Sequence, residues 1–510
     1  MYTRRKKNHS GSVSIQVIDK STGKYKVVKT LGSSSDPDQI AAMERQGMQW
    51  IRSQQGQLEL DFGNRHNQAE KILDSIEHIQ VKGSELLLGK IFEEIGFHQI
   101  EDLLFRHLVL LRIIHPVSKL KTTSYLSRMQ SVNYDVRQVY YYLDKLHEHQ
   151  KEIIQQISYE HTLQILPQGI QVLFYDVTTL YFETDKEDNL RVRGFSKDGK
   201  HQHSQIVLGL LVSIGGYPLA YDIFEGNKFE GHTMLPVIDS FSEKYCVNKP
   251  IIIADSGLLS ADNIRGLQEQ DYEFIVGARI RNEPVHFQQE ILSLNLQDGE
   301  SIILARGELK LVINYSASRA TKDRLNRERG LNKLQKQVKS GKLNKSHINN
   351  RGYNKYLKMD GKVNVSIDME RFVQDGKWDG LKGYLTNSSL SKEDIITNYK
   401  QLWQIEKAFR ITKHDLQIRP IYHRIERRIQ AHVCIAFAAY KVYKELERQL
   451  LEKKTGMTVE KVIEIAETIY SIKVKIPDSN EYIEKLILLN AEQHSLINLF
   501  KLSFPESNKT

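Results

Sequence analysis

Hydrophobic and polar positions divide the chain into segments of different periodicity. Residues 12–32 contain two alternating runs around the turn-forming sequence Lys20-Ser-Thr-Gly23, which predicts a β-hairpin. From about residue 38 to residue 160 the apolar positions recur mostly at helical spacing, as in SELLLGKIFEEIG and IEDLLFRHLVLLRII. The first third of the chain is therefore predicted to be a short β-hairpin followed by helices.

Beyond Gly169 the pattern becomes that of an α/β fold. The strand-like runs IQVLFYDVTTLYF, SQIVLGLLVSI and YPLAYDIF are followed by alternating helix and strand patterns through PIIIAD and YEFIVGARI. Three antiparallel strands followed by alternating helices and strands predict helices packed on a mixed sheet. From about residue 283 to 378 this pattern is interrupted by strand-like pieces and a very basic helical stretch. It resumes with a long helix predicted from Ser391 to Asp415.

The net charge of the chain and its cysteine content indicate what kind of molecule it binds and in which cellular compartment it acts. The 510-residue chain has a formal net charge of +9, which favours a polyanionic partner such as nucleic acid. Its two cysteines exclude a disulfide framework and a cysteine zinc cluster, as expected in a reducing cytoplasm. We therefore expect a cytoplasmic protein that associates with DNA and not with a membrane. The helical region from 38 to 160 fits a helix-turn-helix DNA reader and a plain helical bundle equally well.

Two aspartates interrupt otherwise apolar strand patterns. Asp176 lies inside the β-forming run VLFYDVTTLYF, where aspartate is normally disfavoured, and Asp255 ends the buried run IIIA. Each has an ordinary alternative: Asp176 as a solvent-facing residue of an edge strand or bulge, and Asp255 as a turn or helix-capping residue. The question is whether other carboxylates reach the same point.

A third acidic residue lies on the predicted helix 391–415. Tyr399, Glu406 and Lys413 recur every seven residues, so on one continuous helix they form a single stripe. Apolar residues share that stripe, and we therefore expect Glu406 to face inward. The alternative is an i,i+4 ion pair between Glu406 and Arg410, which has the favourable orientation.

These three carboxylates are remote in sequence, but an α/β fold can bring them together. Asp176 is predicted in the first strand of the sheet, Asp255 at the end of a later strand, and Glu406 on a helix over the sheet. Such a cluster suits oxygen-preferring Mg²⁺ or Mn²⁺. Two such ions about 3.5–4 Å apart promote in-line displacement at a phosphodiester.

The chain resembles the DDE-type insertion-sequence transposases, which have a ribonuclease-H-like catalytic core. Tyr399, Glu406 and Lys413 fit the motif Tyr-x2-Arg-x3-Glu-x6-Lys of one branch, which has a β-rich insertion before the catalytic glutamate, and Leu402 stands where the motif has Arg. Further similar blocks occur in the same order: RIIHPVSKL (112–120), FYDVTTLYFE (174–183), GFSKDGK (194–200), GNKFEGHT (226–233), ADSGLLS (254–260) and WDGLKGYLTN (378–387).

The resemblance implies roles for these residues. Asp176, Asp255 and Glu406 would be the catalytic residues and would bind two Mg²⁺ ions, with Mn²⁺ as a substitute. No organic cofactor is implied.

The resemblance also implies contacts with DNA. Lys413 would contact a phosphate at the transposon end, and Tyr399 would order the terminal nucleotides. Because Leu402 replaces the Arg that supports the DNA end in this branch, Arg410, one turn beyond Glu406, is expected to take over that contact.

The implied activity is metal-dependent cleavage of DNA at the ends of a mobile element, followed by strand transfer into target DNA. The expected partners are double-stranded DNA, as terminal inverted repeats and target, and a second protomer in the complex that pairs two ends. The expected location is the cytoplasm of a bacterial cell. Two alternatives stay open: a nuclease on the same core that cuts without joining, and a non-catalytic DNA-binding protein derived from a transposase.

The expected fold class is α/β, with a ribonuclease-H-like mixed-sheet core. A β-rich, basic insertion interrupts this core, and helical N- and C-terminal regions flank it. The predicted segments are a hairpin and helix (1–80), a helical, DNA-binding region (81–165), the first part of the core (166–282), the insertion (283–378), the second part of the core (379–445) and a helical tail (446–510).

Overall fold

The computed structural model describes most of the chain. The described residues are 1–54, 70–146, 150–247, 249–258, 260–341, 343, 345–350, 352–360, 364–476 and 479–504. The predicted segment 379–445 lies wholly inside these ranges, and parts of the other five predicted segments lie outside them. Within them, no helix combines the length and the apolar character that crossing a bilayer requires.

The strands in these ranges are β1 (Tyr2–Lys7), β2 (Val13–Asp19), β3 (Lys26–Ser34), β4 (Ile76–Val81), β5 (Val172–Tyr181), β6 (Gln205–Ser213), β7 (Pro218–Glu225), β8 (Ile251–Ala254), β9 (Phe274–Ala278), β10 (Ser301–Arg306), β11 (Leu309–Tyr315), β12 (Leu357–Asp360), β13 (Asn364–Ile367), β14 (Leu381–Thr386), β15 (Tyr470–Lys475) and β16 (Tyr482–Ile487).

The α-helices in the same ranges are α1 (Pro37–Gln54), α2 (Gly83–Ile95), α3 (Leu103–Ile114), α4 (Lys119–Gln130), α5 (Val136–Leu146), α6 (Gln150–Ile165), α7 (Met234–Tyr245), α8 (Ala261–Glu269), α9 (Val285–Ser293), α10 (Ala317–Lys339), α11 (Met369–Gly376), α12 (Lys392–Lys400), α13 (Trp403–Arg410), α14 (Glu426–Glu452), α15 (Val459–Glu467) and α16 (Ala491–Phe500).

The chain forms two compact units. The smaller consists mainly of residues 1–78 and 472–484, and the larger of residues 79–471 and a segment that begins at 485. In the smaller unit, β1, β2 and β3 form an antiparallel sheet, and α1 packs on it. The predicted hairpin is confirmed as β2 and β3, and β1 adds a strand that the pattern did not indicate.

An eight-stranded sheet forms the centre of the larger unit, in the order β10–β11–β14–β9–β8–β5–β6–β7. β5, β6 and β7 are antiparallel neighbours, whereas β8 is parallel to β5 and β9 is parallel to β8. β14, β11 and β10 extend the sheet by antiparallel pairing. All nine residues of β6 are buried, because helices cover both faces at this point. The mixed α/β sheet predicted from the sequence is confirmed.

The two faces of this sheet belong to different cores, because side chains alternate along a strand. On β5, Leu173 and Tyr175 point into a core shared with α7. Phe174 and Leu180 point into the larger core on the opposite face, which includes α12, α13 and the long helix α14. α14 also contacts α2, α3, α5 and α6. The helices between residues 83 and 165 therefore pack as a bundle around α14.

Two predicted segments contain strands in unexpected places. Within segment 283–378, β10 and β11 join the main sheet, and only β12 and β13 form a separate two-stranded pair. The tail predicted as helical contains β15 and β16, because sequences such as YSIKVK alternate β-forming residues with polar ones. These two strands pair in the order β16–β15–β4.

The long helix predicted from Ser391 to Asp415 is wrong as a single element. α12 ends at Lys400, and the amides of Gln401 and Leu402 bond to carbonyls three residues back instead of four. After α13, a π-helical turn spans Ile411–Asp415. Both irregularities change the angular phase of the side chains, so the seven-residue spacing no longer places them on one stripe.

Candidate active site

Asp176 and Asp255 lie side by side on two neighbouring parallel strands. In the pairing of β5 with β8, Tyr175 is in register with Ala254, and each aspartate is the next residue along its chain. Because side chains alternate, both carboxylates belong to the face that carries Phe174. The structure therefore brings together the two aspartates that the sequence singled out.

The two carboxylates are held in the same way. The Val177 amide donates to Asp176 Oδ1 at 2.7 Å, and the Ser256 amide donates to Asp255 Oδ1, also at 2.7 Å. Oδ2 of each aspartate receives no hydrogen bond from the described residues. Asp255 is exposed, and the Asp176 side chain keeps 21% of its accessible surface. Each carboxylate is thus oriented by its own backbone and retains an oxygen that is free to bind a ligand.

Lys197 and Glu230 complete a charged cluster around Asp176. The Lys197 ammonium lies 3.6 Å from Asp176 Oδ1 and 3.3 Å from Glu230 Oε1, and it donates to the Val177 carbonyl at 2.7 Å. Burial raises the pKa of Asp176 to about 6. That net shift includes smaller increases in pKa from the charges of Asp255 and Glu230, and decreases from Lys197 and the Val177 amide. The cluster therefore carries negative charge that Lys197 neutralises only in part.

Sequence reasoning did not assign a role to Lys197 or Glu230. Both occur in the blocks GFSKDGK and GNKFEGHT, which were recognised only as similar to a family. The sequence signal that could have identified Lys197 and Glu230 was their position inside those two blocks. Nothing in their spacing indicates that either residue meets Asp176, because the loop 194–200 and the turn at 230 approach β5 only in the folded chain.

Tyr399 supports Asp255 from the side of α12. Its hydroxyl donates to Asp255 Oδ1 at 3.2 Å, and the tyrosine is only 4% exposed. Burial, with the nearby Asp255 charge, raises the pKa of Tyr399, so the hydroxyl keeps its proton and acts as a donor. Gly277 on β9 makes room for this contact, because a Cβ there would lie 2.5 Å from the Tyr399 hydroxyl.

Lys382 on β14 is a second cation of the site that sequence reasoning missed. Its ammonium lies 4.5 Å from the centre of the Tyr399 ring. Burial lowers the pKa of Lys382, and the charges of Asp255 and Glu406 oppose that shift. The charges of Asp255 and Glu406 therefore both act on the Lys382 ammonium. Its position in the block WDGLKGYLTN was the only sequence signal.

Glu406 does not face inward as predicted. It is exposed, whereas Ile405 and Phe409 on the same helix are buried. The break before α13 rotates the helix, so these apolar neighbours take the inward positions and α13 packs against β5 through them. The alternative is also absent, because the structure pairs Glu406 with no cation among the residues it describes, Arg410 included.

The other predicted DNA contacts lie in different surroundings. The Lys413 ammonium is 3.5 Å from Asp198 Oδ2, and Arg419 pairs with the same oxygen. Arg410 is exposed and lines a separate cavity of about 790 Å³. Leu402 is buried at the helix break, which explains why an apolar residue is accommodated there. The structure does not bring these residues to the two aspartates, and their DNA contacts stay predictions.

The residues fit a hard divalent cation, although the predicted set of three ligands is not assembled. In the part of the chain that the structure describes, no three or more His, Cys, Asp or Glu side chains cluster closely enough to hold a metal ion. The donors of Asp176 and Asp255 are nevertheless all oxygen, which Mg²⁺ prefers. The Lys197 ammonium between Asp176 and Glu230 shows that this cluster already accommodates one cation. Glu406 would have to approach to complete the set.

A cavity of about 910 Å³ opens beside Asp255, and its wall contains more basic side chains than acidic ones. Asp255, Tyr399 and Lys382 lie at one part of its wall, and Arg279 and Arg319 line it further on. Arg319 belongs to α10, so the predicted insertion contributes to the wall. A carboxylate pair beside a cavity with an excess of basic side chains suits a phosphodiester substrate, which brings negative charge to a metal-binding site.

Comparison with known proteins gives a structural likeness and a family match. A solved structure, "Cryo-EM structure of piggyBac transposase synaptic complex with hairpin DNA", is similar with a TM-score of 0.39 and 10% sequence identity, over 76% of this chain and 78% of that chain. No curated protein sequence matches this chain. The sequence model of the family described as "Transposase DDE domain" matches residues 167–441. Because that match covers more than half of the chain, the protein belongs to the DDE transposase family, whose function is DNA transposition.

Proposed function

We propose that this transposase cuts DNA at the ends of its element and joins the freed strands to target DNA by divalent-metal-dependent phosphoryl transfer at Asp176, Asp255 and Glu406. The observation that carries the proposal is the placement of Asp176 and Asp255 on neighbouring parallel strands, each with an unbonded Oδ2 on the same face of the sheet. The family membership of the chain supports the reaction class.

Asp176 and Asp255 would hold the metal, with Glu406 as the third ligand. When bound, two Mg²⁺ ions, or Mn²⁺ in their place, supply activation of the attacking oxygen and neutralisation of the leaving one. Glu406 on α13 is exposed, as is Asp255 after β8, and the charges of both act on the Lys382 ammonium. Glu406 would therefore join the two aspartates as a ligand from the side of α13.

The remaining side chains orient the reaction. Tyr399 holds Asp255 in place through its hydroxyl. Lys382 lies in the cavity wall beside Asp255, where its ammonium would neutralise charge on the scissile phosphate. Lys197 keeps Asp176 and Glu230 from repelling each other before the metal binds. Positioning and charge stabilisation of this kind account for most of the catalysis of phosphoryl transfer.

The proposed partners are double-stranded DNA, as terminal repeats and as target, and a second protomer. The net charge of +9 and the excess of basic side chains in the cavity beside Asp255 support DNA binding. A second protomer follows from the need to pair two ends. Lys413, Tyr399 and Arg410 are proposed to contact the end. For Lys413 this requires a phosphate to compete with Asp198 for its ammonium. The proposed place of action is the DNA in the cytoplasm of a bacterial cell.

The test is a cleavage assay on a plasmid that carries both element ends, taken from the DNA on either side of the gene. The native protein is compared with Asp255→Asn and Glu406→Gln in Mg²⁺ and in Mn²⁺. We expect end-specific cuts that leave 3′-hydroxyls, joined products when target DNA is added, and loss of both products in the two variants.

Asp222→Asn is the matched control. Asp222 lies on β7, two strands from β5 in the same sheet, and pairs with Lys151 at 2.9 Å. This variant should cut and join like the native protein. Cuts without joined products would instead identify a nuclease. Binding without cutting, equal in the native protein and both site variants, would identify a DNA-binding relic and would refute the proposed chemistry.

A further inference from the structure

A second basic cavity lies outside the proposed metal site, between α3, α4 and the segment that follows the π-helical turn. It has a volume of about 470 Å³, enough for a phosphate group with part of its nucleotide. Arg112, Lys119, Lys121 and Arg419 line it, and no acidic side chain does so in the described part of the chain. Arg112 and Lys119 come from the block RIIHPVSKL, to which the proposed function gives no role.

Two of these cations are buried without a counter-ion. Arg112 and Lys119 are each only 6% exposed. Within the described ranges neither forms an ion pair with a carboxylate. Burial lowers the pKa of Arg112 to about 10, and burial together with the Arg112 charge lowers the pKa of Lys119 well below its usual value. Buried charges are normally paired, because leaving water is costly for them.

His432 orients Arg112 but does not neutralise it. His432 Nε2 is 2.9 Å from the Ile418 carbonyl, so Nε2 carries the proton and donates, and Nδ1 is left to accept from Arg112 Nη2 at 3.3 Å. Burial and the Arg112 charge lower the pKa of His432 well below its usual value, so the ring is neutral. The guanidinium is thus fixed in direction while its full positive charge faces the cavity.

The backbone adds to the positive potential of the cavity. Ser118 is the N-cap of α4, and its hydroxyl accepts only from the Lys121 amide, at 3.4 Å. The first turn of this helix therefore presents amide groups and the positive end of the helix dipole to the cavity wall. The aromatic side chains of Tyr140 and Tyr422 flank the same space. Cations with a flanking aromatic surface are the usual surroundings of a nucleotide phosphate.

The cavity is connected to the proposed metal site through one short loop. Arg419 in its wall pairs with Asp198, to which Lys413 also points. The residue before Asp198 is Lys197, whose ammonium contacts Asp176. A nucleic-acid strand bound in this cavity would thus lie close to the proposed metal site, because the loop that carries Lys197 and Asp198 contacts both.

We propose that Arg112 and Lys119 form a binding site for a backbone phosphate of the DNA strand whose scissile bond lies at the two aspartates. The identity of the strand rests on the proposed function. The site itself rests on two buried cations, Arg112 and Lys119, which among the described residues have no counter-ion and face a cavity without an acidic side chain in its wall. In this arrangement the helices around residues 103–130 bind DNA by capturing a phosphate in a pocket, and the site fixes the position of the strand without reading its bases.

The experiment measures binding of end-sequence DNA by the full chain in EDTA, where no cutting occurs, over a series of salt concentrations. The variant is Lys119→Met, which removes the charge and keeps the length of the side chain. The matched control is Lys145→Met, an exposed lysine on the neighbouring helix α5 that does not line the cavity. Each phosphate neutralised by a protein contributes about 0.9 to the slope of log K against log salt.

We expect Lys119→Met to reduce this slope by about 0.9 and to weaken binding to unrelated DNA equally, while Lys145→Met leaves the slope unchanged. An unchanged slope in Lys119→Met, or the same decrease in both variants, overturns the proposal, as does a native protein that binds no end DNA. Lys119→Gln is the second variant if Lys119→Met does not fold.

A measurement with inorganic phosphate distinguishes a pocket for a DNA backbone phosphate from a pocket for free phosphate. If phosphate raises the melting temperature of the native protein but not of Lys119→Met, and the DNA slope is the same in both, the pocket binds free phosphate and the DNA proposal fails. Cleavage by the native protein in Mg²⁺ is read separately. Cleavage with an unchanged slope refutes only the phosphate site, and a lowered slope without cleavage refutes only the proposed chemistry.

Discussion

Replacing Tyr399 by phenylalanine removes one hydroxyl from the proposed active site and leaves the aromatic ring in place. That hydroxyl donates to Asp255 Oδ1 at 3.2 Å, and it is held by a tyrosine that is 4% exposed. Lys382 lies over the ring and not at the hydroxyl, so Tyr399→Phe should keep that contact. The variant therefore isolates the contribution of a single hydrogen bond to the orientation of one proposed metal ligand.

The size of the effect follows from the geometry. A hydrogen bond to a charged group contributes about 1.5–3 kcal/mol. The Tyr399–Asp255 distance is longer than the usual O–H···O separation of about 2.7–2.8 Å, and Asp255 is exposed, so the lower end of that range applies. About 1.5 kcal/mol of lost transition-state stabilisation corresponds to a roughly tenfold slower reaction. Because the carboxylate is less well oriented, a higher Mg²⁺ concentration should also be needed for half-maximal rate.

The assay is single-turnover cleavage of end DNA by native protein and Tyr399→Phe, with Mg²⁺ titrated. Tyr384→Phe is the control. The Tyr384 ring packs 4.8 Å from that of Tyr399, and its hydroxyl makes no hydrogen bond to the described residues. A rate of Tyr399→Phe within twofold of the native rate would refute the orienting role. An equal loss in Tyr384→Phe would show that the effect comes from ring packing.

Two further predictions concern the same site. Gly277→Ala places a Cβ 2.5 Å from the Tyr399 hydroxyl, so this variant should cleave DNA at least as slowly as Tyr399→Phe. Because both changes act on the same hydroxyl, the two losses of rate should not add in the double variant. Additive losses would show that the glycine acts elsewhere. Asp176→Asn should abolish cleavage but stabilise the metal-free fold. Because folding raises the pKa of Asp176 to about 6 from 3.8, the native fold binds the extra proton and loses stability as pH rises between about 4 and 6. Urea unfolding in EDTA should show a stability gain of Asp176→Asn over native protein that grows by up to about 3 kcal/mol from pH 4 to pH 7. A pH-independent difference would contradict the raised pKa.

The helix that carries Glu406 shows the limit of periodicity. A seven-residue spacing places three side chains on one stripe only if every turn has the same geometry. The 401–402 break and the π-helical turn violate that condition, and both depend on hydrogen bonds that no residue pattern in 391–415 indicates. Glu406 is exposed as a result. The prediction identified the residue but not its orientation.

The sequence by itself predicted β5 to β9 as strands of a mixed sheet, and it singled out Asp176 and Asp255 as carboxylates that could meet. Apolar runs long enough to be buried on both faces predict strands of a covered sheet. A carboxylate inside or at the end of such a run needs a cation or a hydrogen-bond donor beside it, because burying an unpaired charge is costly. Adjacent parallel strands then bring the two aspartates together, as the register of Tyr175 with Ala254 shows.

Only the tertiary structure decided which charged side chains surround Asp176 and Asp255, and which buried cations have no carboxylate partner among the described residues. Lys197, Glu230 and Lys382 reach the aspartates from loops and strands far away in sequence. Arg112 and Lys119 are buried, with no counter-ion among the described residues, where the segment carrying Arg419 meets α3 and α4. Electrostatic energy depends on distance and burial in three dimensions, and the spacing of residues along a chain carries neither quantity.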